Sequence, residues 1–423
     1  MSHENDYARA VRHITADALR EAAMAMVNIA SPTGREVDMA QYLVARLSKA
    51  GFRSFLQEVT PGRPNAIGVR QGSGGGLNLL ITGHMDAIYE GEEGQRDSNG
   101  LKPKAEFRNN WILGPGATHM KGGLAAALVA MEALVREEIP LKGDLLFGAV
   151  VGETEKAPIE EFGHEGTSGY GIGTRHLITH GISADYAVLA EPSDLKVCAA
   201  NMGCIWARIA LKGTPAHSAF ANKPGVVNAI SEALALQAHL QPWIETYQVD
   251  HAYLNEHPNV TFAAIRGGMP WRLSRNPSEC TLYLDIRTVP GQTPDQVKRS
   301  LRAALRSFAE SRGNGEPSLD FYVTYPPTAV DPESPLVKII REAHRRIRRH
   351  DAEIVIRRPG ADSTHLNRYD VPCIAYGPGG RLYPDAKEDQ MYGVGEHVHL
   401  DDLLVAAKVY LETALEICNH PAQ

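Results

Sequence analysis

Four short stretches place ionisable side chains directly after apolar runs. They are GHMD with His84 and Asp86, GATHMKGG with His119, GETE with Glu153 and Glu155, and AEPSD with Glu191 and Asp194. Imidazole nitrogen combined with carboxylate oxygen is the donor mix that suits zinc and its neighbours. Open α/β sheets gather ligands at the carboxyl ends of their strands, so four such strand ends can converge on one centre. Singly, each group has an ordinary structural use: a strand-end histidine hydrogen-bonds to backbone, and Glu-Pro makes a turn. Together they point to a metal site.

The elements that must carry these groups alternate in type. Residues 7–30 repeat apolar side chains three or four apart, and EVDMAQYLVARLSKAG does the same before closing on Gly51, so both read as helices. NAIGVR, the glycine loop GSGGG and LNLLITGHMD read as a hairpin leading into a buried strand. GGLAAALVAMEALVRE is a helix, and GDLLFGAVVGE and ADYAVLAEPS are further strands. This alternation predicts an α/β fold around a mostly parallel central sheet. Near residue 200 the pattern changes to strand, helix, strand, helix, from GCIWARIALKG to TPDQVKRSLRAALRSFAE; α/β alternation resumes after YPPTAVDPESP. One domain is therefore expected to interrupt another, as a chain of 423 residues allows.

Bulk composition narrows the function. Lys+Arg number 43 against 50 Asp+Glu, a net charge of −7 with no basic block beyond HRRIRRH, which reads as a solvated helix face; nucleic-acid binding has no electrostatic support. No apolar run reaches membrane-spanning length, and the N-terminal stretch lacks an apolar signal core. Five cysteines without a C-x-x-C pair fit a reducing, cytoplasmic setting.

The series SPTGRE, GHMDAI, GPGATHMKGG, GETE, AEPSD, GTPAHSAFANKPGVVNAI, LDIRTVPG and GPGG resembles the acetylornithine deacetylase, succinyl-diaminopimelate desuccinylase and carboxypeptidase family of metallohydrolases. The resemblance implies a zinc-peptidase-like catalytic domain over residues 1–200 and 319–423, with an α+β, ferredoxin-like lid and dimerisation domain over 201–318. It further implies that His84 and Glu191 bind the first metal, that Asp86 orients His84, and that Glu153 is the general base. His217, in PAHSA, matches a lid histidine that reaches a neighbouring subunit's site and stabilises an oxyanion.

Three positions depart from the family pattern. His119 stands where relatives carry the aspartate that bridges two metals. Thr154 follows the base where relatives have a glutamate ligand. Near the C-terminus Glu396 aligns with the family glutamate and Tyr392 with a lost histidine ligand, although a slipped register would let His397 or His399 substitute. A neutral imidazole offers a metal one lone pair, so it ligates but does not bridge. His84, His119 and Glu191 then make a site for one divalent transition metal per subunit, zinc, manganese or cobalt.

The substrate implied is a small molecule bearing a carboxylate, in a homodimer or higher oligomer built through the lid. The altered site resembles that of the family's member acting on 5-nitroanthranilate, so the first expectation is an aminohydrolase that replaces a ring amine with hydroxyl, giving 5-nitrosalicylate and ammonia. The alternative is amide hydrolysis of an N-acyl amino acid or dipeptide, and the third reading is a non-catalytic oligomeric binding protein.

Overall fold

The computed structural model describes residues 3–88, 96–97, 100–101, 103–154, 169–313, 315–384 and 395–422. Two compact units result. The first comprises Met1–Ala199, Val330–Val355 and Ala361–Gln423; the second comprises Ala200–Ala329 and Ile356–Gly360.

In the first unit the strands lie in the order Arg53–Thr60, Arg63–Arg70, Leu145–Val150, Leu79–His84, Tyr186–Leu189, Cys373–Ala375, Val197–Asn201. The four middle strands, 145–150 to 373–375, run parallel, and the outer ones antiparallel. Their continuous apolar sequence follows from being covered on both faces. Leu79 and Ile81 point into one core, shared with the helices Ala16–Val27, Val37–Lys49, Gly122–Arg136 and Leu400–Asn419. Leu80 points into the other, with Leu146, Leu177 and Leu366, as the two-residue strand period requires.

Two local expectations shift. The hairpin pairs Arg53–Thr60 with Arg63–Arg70, and the latter lies beside Leu145–Val150; it does not turn into Leu79–His84. The first long helix is cut in two, His3–Ala10 and Ala16–Val27, because the Thr15 hydroxyl accepts from the Ala18 amide and caps the second.

The second unit is a four-stranded antiparallel sheet in the order Val260–Gly267, Glu279–Thr288, Gly203–Lys212, Ser318–Tyr325. Helices Ala229–Val249 and Pro294–Arg312 pack Leu236, Leu240, Leu301, Leu305 and Phe308 against Ile205, Ile209 and Leu284. The second helix starts with a complete capping box, Thr293 with Gln296, and Pro294 in its first turn. This unit runs past residue 318 to Ala329, because Ser318–Tyr325 pairs with Gly203–Lys212 along its length. Among the described residues no helix is long and apolar enough to cross a membrane.

Candidate metal centre

Three neighbouring parallel strands end side by side and deliver three of the expected groups. His84 is the last residue of Leu79–His84, Glu153 follows Leu145–Val150, and Glu191 follows Tyr186–Leu189. His119 arrives from the turn Ala117–Lys121, immediately before the helix Gly122–Arg136.

Two glycines set how closely these pieces approach. A Cβ on Gly123 would lie 1.8 Å from the Ala190 carbonyl oxygen, so only glycine lets the helix start rest on the backbone beside Glu191. A Cβ on Gly83 would lie 2.2 Å from Met120 Cε, and this close fit brings the turn bearing His119 against the end of the strand bearing His84. Glu396 fixes that turn from another side, its Oε2 accepting from the amides of Thr118 (3.1 Å) and His119 (3.0 Å).

The result is a buried cluster of His84, His119, Glu153 and Glu191 whose donor atoms all lie within 4.8 Å of one another. The two Nε2 atoms are 3.2 Å apart. His119 Nε2 is 3.0 Å from Glu191 Oε2, and His84 Nε2 is 3.7 Å from Glu191 Oε1 and 3.9 Å from Glu153 Oε2. His84 Nδ1 is 2.8 Å from the Asp86 carbonyl, to which it donates, and this leaves the Nε2 lone pair aimed into the cluster.

Two imidazole nitrogens each about 2.05 Å from a tetrahedral zinc stand roughly 3.3 Å apart. The observed spacing therefore fits a shared divalent ion, and Glu191 brings negative charge to the same point. His84, His119 and Glu191 could hold such an ion, with Glu153 beside it.

Behind the cluster, the Asp86 carboxylate is fully buried. It accepts from the amides of Glu153 (3.1 Å to each oxygen) and Thr154 (2.9 Å), and from the hydroxyls of Thr154 (2.7 Å) and Thr33 (2.8 Å). Burial acts to raise its pKa, but the neighbouring His84 and these hydrogen bonds outweigh it and hold the carboxyl below its usual range. Lys121 is also buried; desolvation pushes its amine down to about 7 against the opposing pull of Glu396 and Asp86, and its Nζ donates to the Ile29 carbonyl at 2.8 Å.

Other sequence candidates lie elsewhere. His397 uses Nε2 to accept from the Tyr383 amide and Nδ1 to donate to the Gly395 carbonyl. His399 caps the helix Leu400–Asn419 through the Asp401 amide. Neither histidine belongs to the cluster. Tyr392 and Glu155 lie outside the described residues. His217 belongs to the second unit, where it is exposed and its Nδ1 accepts from the Ala219 amide. Thr33, within SPTGRE, carries no ligand or periodic signal in the sequence, yet its hydroxyl reaches Asp86.

Known proteins resemble this chain along nearly its whole length. N-formyl-4-amino-5-aminomethyl-2-methylpyrimidine deformylase of Bacillus subtilis is 24% identical over 92% of this chain and 91% of its own length. Acetylornithine deacetylase of Myxococcus xanthus is 23% identical over 96% of this chain and 99% of its own. In fold, a tripeptidase from Staphylococcus aureus superposes with a TM-score of 0.76 at 20% identity, covering 96% of this chain and 99% of that one. The profile of peptidase family M20/M25/M40 matches residues 80–416, so the chain belongs to that family and is a metal-dependent hydrolase acting on C–N bonds.

Proposed function

We propose that this protein removes an acyl group from the nitrogen of a small carboxylate-bearing molecule, using one zinc, manganese or cobalt ion held by His84, His119 and Glu191. The observation that carries the single-ion reading is the convergence of both Nε2 atoms, 3.2 Å apart, on Glu191. A bound divalent ion supplies Lewis acidity, polarising a carbonyl and lowering the pKa of water to about 7. Glu153, 3.9 Å from His84 Nε2, takes a proton from the attacking water and returns it to the departing nitrogen.

His217 serves as the oxyanion donor. With Nδ1 accepting from the Ala219 amide, its neutral ring carries the proton on Nε2, the outward donor an oxyanion needs. In a homodimer built through the second unit it acts on the partner's substrate. Mixing His217→Ala subunits with Glu153→Gln subunits then restores part of the lost activity; two inactive variants that stay inactive when mixed rule out action in trans. Five buried cysteines with no C-x-x-C pair suit a reducing, cytoplasmic setting.

Sequence reading put the aromatic amine first. Relatives named for removing formyl and acetyl groups, aligned over more than nine-tenths of the chain, favour the amide instead. One observation keeps the amine reading as the second: Thr154, at the position where the family resemblance implies a ligand of a second ion, hydrogen-bonds to Asp86, and a nitroaromatic ring supplies its own electron sink. The deciding experiment gives the metal-free protein zinc, manganese or cobalt and assays N-formyl and N-acetyl amino acids beside 5-nitroanthranilate. Release of acid and amine supports the proposal, and ammonia with 5-nitrosalicylate supports the second reading. No turnover together with no metal uptake overturns both in favour of a binding protein.

A further inference from the structure

The Asp86 carboxylate does not hold His84 directly. Its Oδ1 stands 3.6 Å from His84 Nδ1, whereas its backbone carbonyl makes the 2.8 Å contact. The carboxylate instead gathers the segment that follows Leu145–Val150, through the amides of Glu153 and Thr154. Thr33 and Thr154 close this arrangement. Their hydroxyls lie 2.7 Å from each other and 2.8 and 2.7 Å from Asp86 Oδ2, so two hydroxyl protons serve three short contacts in a closed triangle.

Thr33 is itself held firmly. Ser31 Oγ donates to the Met85 carbonyl at 2.7 Å, and the Ala87 amide donates to the Ser31 carbonyl at 2.9 Å. At the other end of the same loop, Glu36 makes a buried two-point ion pair with Arg63, at 2.6 and 3.1 Å. A loop clipped at both ends therefore presents one hydroxyl to the back of the site.

We infer that Thr33 and Thr154 are positioning residues: their hydroxyls lock the Asp86 carboxylate onto the 153–154 backbone and thereby fix the Glu153 carboxylate beside His84. This rests on reading Glu153 as the proton carrier. The Thr154 hydroxyl and amide give the base a rigid mount on Asp86. Without the hydroxyls, Asp86 keeps its amide contacts, but a buried carboxylate has lost donors and the segment loosens.

Thr154→Val, Thr33→Val and Thr154→Ser are compared with the wild type by two readouts. In the metal-free protein, hydrogen exchange over a peptide spanning 151–154 becomes about tenfold faster in each valine variant, corresponding to one lost hydrogen bond. The remaining peptides stay unchanged and serve as the folding control. With ion and the substrate that the wild type turns over, kcat falls about ten- to a hundredfold while KM holds, and Thr154→Ser restores both readouts. Exchange in Thr154→Val equal to the wild type, or a serine variant that behaves like the valine one, overturns the inference. Failure of the base reading is separate: it is Glu153→Gln with undiminished kcat, and it leaves the exchange result standing.

Discussion

Glu153→Gln lowers kcat by about a hundred- to ten-thousandfold, the range in which a positioned general base contributes, while the protein still binds its ion. The two effects separate if the four clustered side chains divide their tasks as proposed. His84, His119 and Glu191 contact one another at 3.0–3.7 Å and are read as the ligands, and Glu153, whose Oε2 is 3.9 Å from His84 Nε2, is read as the proton carrier. Glutamine keeps the shape and the Asp86 contacts, which use the backbone amide of residue 153, but it cannot accept and return a proton. Metal analysis of the purified variant alongside its kinetics decides the matter. A variant that loses both its ion and its activity makes Glu153 a ligand; one that keeps full kcat moves the base elsewhere.

Strand ends were the most legible part of the sequence. GHMD, GETE and AEPSD each close an apolar run, and a parallel sheet must place such ends together at one edge, so His84, Glu153 and Glu191 could be read from the letters alone. His119 was legible because it stands where the family resemblance places a bridging aspartate. The closeness of that turn was not, since it depends on Gly123 meeting the Ala190 carbonyl from another part of the chain.

The C-terminal register could not be read for a similar reason. Two of the candidates, His397 and His399, sit within EHVH beside Glu396, and only the folded chain gives Glu396 to the His119 amide and His397 to the Tyr383 amide. Edge strands were missed because they carry little alternation: Val260–Gly267 is mostly exposed, and Ser318–Tyr325 has a partner on one side only. Thr33 escaped notice because a hydroxyl that supports a carboxylate from fifty-odd residues away leaves no periodic or compositional trace.

On the proposed single-ion reading, His119→Asp combined with Thr154→Glu raises the number of ions bound per chain from one to two. An aspartate at 119 can share its two oxygens between ions where the imidazole has one lone pair, and a glutamate at 154 gives the second ion a ligand of its own. Charge balance points the same way. In the wild type, the carboxylates of Asp86, Glu153 and Glu191 against one doubly charged ion leave about one negative charge; the double substitution adds two carboxylates, and five against two ions leave the same. Stripped of metal, the double variant buries five carboxylates in mutual repulsion, so its Tm in chelator falls below that of the wild type and climbs more steeply as zinc is added. His119→Asp alone gains the bridge without the ligand and stays near one ion, because Thr154 remains turned towards Asp86. Stoichiometry by metal analysis and calorimetric titration checks each step. A wild-type chain that takes two ions contradicts the single-ion centre at once, whereas a double variant that stays at one places the obstacle beyond residues 119 and 154.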